Sequence, residues 1–276
     1  MELRRLEEQE HQKTRKLWEE VFSDDTRAFL DYYYFIKTKE NEIWVIEEDG
    51  EIQSMLQLNP YQLQVAEHPF LCRYIIAVAT RAQYRSRGYM SSLLRKAMQE
   101  MYGKKEPFTF LMPAAEAIYT PYDFRFVYSQ RQAVFEKKAE TELIEEEDAT
   151  MFQAEELAAF AKERLFGTAR VYAVRDAHYY QTRVLEQQSE NGGIRMLKKD
   201  GKLVGIYCYA KEETCEVLEP LILPGYETVF WDSISGLSEK PVKVLACPEV
   251  LEPCARSVER KPMIMVRILL LETLLS

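Results

Sequence analysis

Apolar and polar positions along the first half of the chain predict short strands and amphipathic helices in alternation. Apolar residues recur every third or fourth position in the helical segments, whereas the strand segments are short apolar or alternating runs. The predicted strands are 2–6, 43–47, 52–58 with its continuation 61–65, 70–79, 108–111 and 124–136, and the predicted helices are 6–22, 26–36, 90–101 and 116–119. The order β-α-α-β-β-β-α-β-α-β predicts a three-layer α/β domain.

The second half repeats the order of helix followed by hairpin. Its predicted helices are 152–165 and 176–189, and its predicted strands are 169–174, 194–197, 203–209, 215–223 and 242–246. An acidic run, ETELIEEEDAT, separates the halves and is typical of a solvated linker. We therefore predict a first domain over 1–138, a linker over 139–149 and a degenerate second copy of the same fold over 150–260. The second copy lacks an arginine-rich turn, so the chemistry is expected in the first domain.

The apolar strand from Tyr74 to Ala79 leads into a basic turn and then a helix. The turn carries Arg81, Arg85, Arg87 and Gly88. A strand, a basic turn and a helix start place free backbone N–H groups and the positive end of a helix dipole together, which favours an anion. The sequence has neither G-x-x-x-x-G-K-[ST] nor G-x-G-x-x-G, which excludes the two best-known phosphate loops.

Composition narrows the class of protein. The chain has 276 residues, 47% of them hydrophobic, and a net charge of −9, which argues against nucleic acid and anionic membrane as partners. Five cysteines without a C-x-x-C pattern suggest reduced thiols and no metal site. The N-terminus does not resemble a signal peptide, and no apolar run is long enough to cross a bilayer. These features predict a cytoplasmic protein.

Two segments resemble motifs of the GNAT acetyltransferases. Arg85-Ser86-Arg87-Gly88-Tyr89-Met90 is similar to the pyrophosphate-binding signature [QR]-x-x-G-x-[GA], with Met90 in place of the small residue. Ala117 to Phe124 resembles the element Y-x-x-x-G-F, with Tyr119 and Phe124 at the matching positions and Asp123 in place of glycine. The two segments stand in the order, and on the elements, that a GNAT domain has.

The wider pattern resembles the Eis-like subfamily, whose members have two tandem GNAT folds followed by a sterol-carrier-like domain. The resemblance implies an α/β fold with two tandem three-layer domains and mixed, mostly antiparallel sheets. The tail over 261–276 is similar to the opening of the third domain, which is expected to be missing here. The segments that carry the resemblance are 30–33, 54–56 with 59–60, 77–80, 85–90 and 117–119.

The resemblance also implies an activity and a site. Acetyl-CoA would be the cofactor, and its acetyl group would pass to a primary amine by direct attack, with Tyr119 as general acid. In the family a carboxylate of the third domain serves in deprotonation, so Glu116, Asp123 or Asp31 would have to act instead, with Glu116 preferred. A backbone N–H near Val78 would polarise the thioester carbonyl. The residues implied to bind acetyl-CoA are Ile76, Ala77, Val78, Arg85, Ser86, Arg87, Gly88, Tyr89 and Met90.

Two alternatives to an enzyme stay open. One is a non-catalytic acyl-CoA sensor that keeps the fold and binds the cofactor, and the other is a structural pseudo-enzyme that binds none. An aminoglycoside, a polyamine or a lysine would each suit an acidic protein as the amine substrate. The apolar segment 264–275 predicts a homo-oligomer, because such a segment would associate in water if exposed.

Overall fold

The computed structural model describes residues 1–135, 144–211, 213–246 and 258–270, and it divides into two compact units. The first unit comprises Met1–Tyr128, Val171–Ala173 and the chain from Met263 onward. The second comprises Ser129–Arg170 and Val174–Pro262. The domain boundaries given above stay a prediction.

Strands and helices alternate along both units. The strands are β1 (Glu2–Arg5), β2 (Glu42–Glu48), β3 (Glu51–Val65), β4 (His68–Thr80), β5 (Phe108–Leu111), β6 (Arg125–Phe135), β7 (Glu145–Asp148), β8 (Val171–Ala173), β9 (Gly193–Lys199), β10 (Lys202–Lys211), β11 (Cys215–Ile222), β12 (Val242–Leu245) and β13 (Val258–Ile268). The helices are α1 (Arg15–Val21), α2 (Arg27–Phe35), α3 (Tyr89–Gly103), α4 (Glu116–Tyr119), α5 (Ala154–Leu165), α6 (Ala177–Ser189) and α7 (Glu227–Ser235). Short 3-10 turns flank several of the helices.

The sheet of the first unit is mixed and mostly antiparallel. Strands β1 to β4 pair antiparallel in order, β4 pairs parallel with β5, and β5 pairs antiparallel with β13. Helix α3 packs on one face, where its Leu93 and Leu94 meet Leu56 of β3. Neighbouring Gln57 points to the opposite face and accepts a hydrogen bond from Tyr33 of α2. Helices therefore cover both faces, as the three-layer prediction requires.

The sheet of the second unit has the same plan. Strands β7, β9, β10 and β11 pair antiparallel in that order, β11 pairs parallel with β12, and β12 pairs antiparallel with β6. Helix α7 places Phe230 and Ile234 in a core that includes Val217 and Val244. The mixed, mostly antiparallel α/β class predicted from the sequence is confirmed.

The two halves of the chain exchange their last strands. Strand β6 follows β5 in the sequence, but its end at 132–135 pairs with β12. Strand β13 follows β12 in the sequence, but its end at 265–268 pairs with β5. Each sheet is therefore completed by a strand from the other half of the sequence.

Residues 145–148 of the predicted linker form β7, where Glu146 and Asp148 pair with Arg195 across the strands. The described part of the predicted tail lies largely within β13. In the apolar segment 264–275, Met265 is fully buried, and residues 271–275 lie outside the described residues, so self-association stays a prediction. Helix α7 was not predicted from the sequence.

Candidate active site

Strands β4 and β5 separate after Ile75. Their parallel pairing runs from Arg73 opposite Thr109 to Ile75 opposite Leu111. Strand β4 then continues to Thr80 with β3 as its partner among the described residues. The edge of β4 beyond Ile75 therefore faces an opening, where an extended ligand can add to the sheet as a further strand.

A β-bulge lies at the same point of β4. The register against β3 shifts between Ile76 and Ala79, so Ala77 and Val78 both lie opposite Leu56. Ala77 is buried and has φ +52°, a left-handed conformation that a residue with a Cβ adopts at a cost of about 1 kcal/mol or more. Backbone strain of this kind is concentrated at binding and catalytic sites, and here it turns backbone groups of β4 out of the regular ladder.

The arginine turn, residues 81–88, connects β4 to α3. Arg85 and Arg87 are exposed, and the Nε of Arg85 donates to the carbonyl of Thr80 at 3.1 Å. The guanidinium of Arg87 lies 4.7 Å above the ring of Tyr84. Ser86, also exposed, has φ +63°. Two exposed guanidinium groups thus stand beside the start of α3.

Gly88 begins α3 in a left-handed conformation. Its φ is +81°, and its carbonyl accepts the first helical hydrogen bond from Ser92 at 2.9 Å. A Cβ at Gly88 would meet no atom within 4 Å, so the backbone conformation and not crowding favours glycine. The first N–H groups of the helix have no partner within it and are available to an anion.

The side chains of Tyr89 and Met90 point into the protein. Tyr89 is buried, and Met90 packs against the core beneath α3. Any contribution of these two residues to an anion site would therefore come from their backbone. Packing of Met90 on the core also explains how a large residue fits where the GNAT signature has a small one.

Tyr119 ends the short helix α4 beside the core. Its ring is 7% exposed and meets the ring of Phe124 edge-on, with 6.0 Å between centroids. Within the described residues its hydroxyl has no hydrogen-bond partner, and burial raises the pKa of this phenol. The Tyr119 hydroxyl therefore keeps its proton at neutral pH and donates it to none of the described residues.

Asp123 occupies a backbone position that favours glycine. Its φ is +62°, and Asp is among the few residues with side chains that tolerate this region. The carboxylate lies 3.1 Å from the Nη1 of Arg267, which also donates to the carbonyl of Tyr122. The departure from the family motif thus keeps the turn geometry.

The other two candidate bases differ in their surroundings. Asp31 accepts a hydrogen bond from Arg15 at 2.7 Å and lies 4.0 Å from Arg27. Glu116 is exposed in the first turn of α4, and its carboxylate has no partner within the described residues. Glu116 is therefore the candidate whose carboxylate is not engaged by arginine.

An open cavity of about 730 Å³ lies between α1 and α2. Its charged lining consists of the carboxylates of Glu19, Asp25 and Asp31 and the guanidinium groups of Arg15 and Arg27, and the rings of Phe22 and Phe35 also border it. Arg15 pairs with Glu19 and Asp31, so the carboxylate of Asp25 is the one in this lining that no described arginine engages. Sequence reasoning identified Asp31 alone, because the spacing of acidic residues on a helix does not reveal which of them border a cavity.

In the second unit, hydrogen-bonded charged side chains occupy the position that corresponds to the opening between β4 and β5 of the first unit. Parallel pairing of β11 with β12 ends at Leu218 opposite Leu245, and the next residue, Glu219, has φ +54°. Its carboxylate accepts a hydrogen bond from Tyr179 at 2.7 Å and lies 3.4 and 3.3 Å from Arg175 and Arg183. Burial by itself raises the pKa of this carboxyl, but the two guanidinium charges outweigh it and hold the pKa below its ordinary value.

No described helix has the length and apolar character needed to cross a membrane. No group of three or more His, Cys, Asp or Glu side chains in the described part is arranged to hold a metal ion.

Comparison with solved structures defines the class of this protein as a tandem GNAT fold. A conserved protein of unknown function from Enterococcus faecalis V583, described as a "Probable N-Acyltransferase", superposes with TM-score 0.81 at 17% identity, covering 99% of this chain and 73% of that one. A GCN5-related N-acetyltransferase from Kribbella flavida gives 0.75 at 14%, covering 97% and 72%. Eis1 from Mycobacterium abscessus gives 0.68 at 13%, covering 100% and 76%.

The sequence itself identifies the family. Residues 2–127 match the model of an acetyltransferase (GNAT) domain. No curated protein matches the sequence. Residues 2–127 therefore form a GNAT acetyltransferase domain, which contains the bulge of β4, the arginine turn and Tyr119. The GNAT and Eis-like resemblance found from the sequence is confirmed.

Proposed function

We propose that this protein is an acetyl-CoA-dependent N-acetyltransferase that acts on a primary amine. The observation that carries the proposal is one continuous stretch of backbone in the first unit. In it, the opened and bulged edge of β4 leads directly into the arginine turn and the start of α3. An acyl-CoA requires these two features next to each other, since its pantetheine arm is extended and its diphosphate is anionic.

The residues present fit acetyl-CoA. The backbone of Ile76, Ala77 and Val78 would hold the pantetheine arm at the free edge of β4. The residues Arg85, Ser86, Arg87, Gly88, Tyr89 and Met90 would hold the diphosphate through backbone N–H groups and the two exposed guanidinium groups. The bound cofactor supplies the acetyl group as a thioester.

Tyr119 would act as the general acid. Its hydroxyl carries a proton at neutral pH, and no partner among the described residues competes for that proton. This proton would pass to the departing thiolate, and Tyr119 belongs to the same packed cluster as Ile75 and Val78 of β4. Backbone N–H groups near Val78 would stabilise developing negative charge on the acyl oxygen.

The amine acceptor would enter from the cavity between α1 and α2. Glu19 and Asp31 there pair with Arg15, so Asp25, which accepts a hydrogen bond from Trp18, would be the carboxylate that attracts a protonated amine, and Phe22 and Phe35 would cover the apolar part of the amine. Loss of the ammonium proton would be assisted by Glu116, whose exposed carboxylate reaches solvent. The neutral amine would attack directly, so no covalent enzyme intermediate forms.

Calorimetric titration of acetyl-CoA tests the proposal with a matched pair of variants. Gly88→Glu places a carboxylate at the helix start and a Cβ on a left-handed backbone, whereas Gly103→Glu places a carboxylate at the other end of α3, where a Cβ also has open space and φ is not positive. We expect wild type and Gly103→Glu to bind and Gly88→Glu to lose binding. Equal loss in both variants would refute the assignment of the turn, and no binding by wild type would refute the proposed cofactor.

A non-catalytic acyl-CoA-binding protein is the second candidate. The observation favouring it is that arginines engage Asp31 and Asp123, which leaves solvent-exposed Glu116 as the remaining candidate base. Release of free CoA thiol with a panel of amines distinguishes the two functions. Tight acetyl-CoA binding without thiol release on any amine would support the sensor.

A further inference from the structure

The hairpin between β2 and β3 brings two glutamates together. Its two-residue loop, Asp49 and Gly50, has φ +56° and +75°, the left-handed pair that a tight hairpin needs. Glu48 and Glu51 are consequently direct cross-strand partners, and their side chains leave the hairpin on the same face. Both carboxylates bond to residues that bound the arginine turn.

Glu48 holds the end of the arginine turn that joins α3. Its carboxylate accepts a hydrogen bond from the hydroxyl of Tyr89, the first residue of the helix. The ring of Tyr89 stacks on that of Tyr84 with 6.0 Å between centroids. The guanidinium of Arg87 in turn lies 4.7 Å from the centroid of the Tyr84 ring. Glu48 is thus linked through two aromatic rings to an arginine of the proposed diphosphate site.

Glu51 holds the end of the turn that joins β4. Its Oε2 accepts from the Nη1 of Arg81 at 2.5 Å, and the Oε1 of Gln53 lies 3.3 Å from the same nitrogen. The side chain of Arg81 is 8% exposed, and its Nε lies 3.1 Å from Glu20 of α1. The carbonyl of Arg81 accepts from the N–H of Tyr84 at 2.9 Å, which continues this attachment into the turn.

Long-range electrostatics would disfavour two carboxylates beside a site for a diphosphate. The hydrogen bonds of Glu48 with Tyr89 and of Glu51 with Arg81 give a reason for the presence of these two carboxylates. We propose that Glu48 and Glu51 are positioning residues that hold both ends of the arginine turn and thereby fix it in the conformation that binds the diphosphate of acyl-CoA. This inference rests on the proposed function for its ligand. The pKa of the Tyr89 phenol is raised by the hydrogen bond to Glu48, in keeping with a phenol that stays a donor.

The sign of the effect on binding separates positioning from charge. Removing a negative charge strengthens binding of an anion if charge alone matters, whereas removing a positioning group weakens it. We expect Glu48→Ala and Glu51→Ala each to raise the Kd of acetyl-CoA about five- to tenfold, the scale of the net contribution of one ordinary hydrogen bond. Glu48→Gln keeps an acceptor for Tyr89 and should restore most of the affinity. Asp49→Asn, which removes a charge from the same hairpin at a residue that bonds to neither end of the turn, should not raise the Kd.

Steady-state kinetics and partial proteolysis complete the test. In the two alanine variants KM for acetyl-CoA should rise while kcat changes less than twofold. Trypsin cleavage after the exposed Arg85 and Arg87 should be several times faster in Glu48→Ala and Glu51→Ala than in wild type and Asp49→Asn. This cleavage reports attachment of the turn without any ligand, so it does not depend on the proposed function.

Binding of acetyl-CoA and cleavage by trypsin test different parts of the proposal. Alanine variants that bind acetyl-CoA as tightly as Asp49→Asn would overturn the positioning role. If wild type binds no acetyl-CoA, the proposed function fails and the diphosphate with it. Cleavage then decides whether the hairpin holds the turn: faster cleavage in the alanine variants supports that attachment, and equal cleavage overturns it.

Discussion

Replacement of Tyr119 by phenylalanine tests the proposed general acid with little disturbance of the fold. The hydroxyl has no hydrogen-bond partner among the described residues, and phenylalanine keeps the edge-on contact with Phe124. Loss of an unpartnered buried hydroxyl is nearly neutral for stability, so Tm should change by no more than about 2 °C. The two consequences of the substitution, on stability and on rate, are therefore separable.

The expected loss of rate follows from the role of the proton. General acid catalysis contributes about 10²- to 10⁴-fold, so Tyr119→Phe should lower kcat at least about 100-fold, or about 2.7 kcal/mol in the barrier. KM for acetyl-CoA should change less than about twofold, because the ring makes no part of the diphosphate site. Burial raises the pKa of Tyr119, and an acid acts in its protonated form, so wild-type kcat should not fall from this group below about pH 10.

The assay measures free CoA thiol release against amine concentration, with Tyr74→Phe as the matched control. Tyr74 is a buried tyrosine on β4, and its ring lies 5.2 Å from that of Phe110. Tyr74→Phe should keep kcat within about threefold. A Tyr119→Phe variant that retains kcat, or loses it together with a large fall in Tm, would refute the reasoning.

Further predictions concern the charged groups of both units. Glu219→Gln leaves two guanidinium groups without their shared carboxylate and should lower the free energy of unfolding by about 3–5 kcal/mol, measured by denaturant titration, while acetyl-CoA affinity in the folded protein is kept. The pKa of Glu219 is lower in the folded protein than in the unfolded chain, so its contribution to the free energy of unfolding is present above the unfolded pKa of about 4.3 and is lost as pH falls below that value. The difference in free energy of unfolding between variant and wild type should therefore become smaller in acid. A difference that stays constant with pH would contradict this. Arg87→Gln should weaken acetyl-CoA binding about tenfold and reduce its dependence on salt, whereas an unchanged salt dependence would place the cofactor elsewhere.

The architecture of the first unit could be predicted from the sequence because each of its elements is specified by a pattern of neighbouring residues. The apolar run before the arginine turn became β4, and the spacing of Leu93, Leu94 and Ala97 gave α3. These elements combine strong periodicity with clear end signals such as Gly88. The family resemblance had the same source, since both GNAT motifs lie within single strand–turn–helix segments.

Features that depend on residues far apart in the sequence could not be predicted from it. Strand β13 pairs with β5, more than 150 residues earlier in the sequence, and no local pattern specifies that partner. Glu48 and Glu51 look in the sequence like ordinary charges of a solvated hairpin. Their contacts with Tyr89 and Arg81 exist because the hairpin and the turn meet in the folded unit. Likewise the opening between β4 and β5 is a property of pairing, which composition does not encode.

Exchange of the last strands has a consequence for synthesis on the ribosome. Strand β5 acquires its antiparallel neighbour only when residues 265–268 have emerged, long after the rest of the first unit has left the exit tunnel. Until then the nascent chain carries an open sheet edge, the kind of surface that pairs with other chains. The GNAT domain, although first in the sequence, would therefore be among the last parts to complete its fold, and the cell would have to protect it while the second unit is being made.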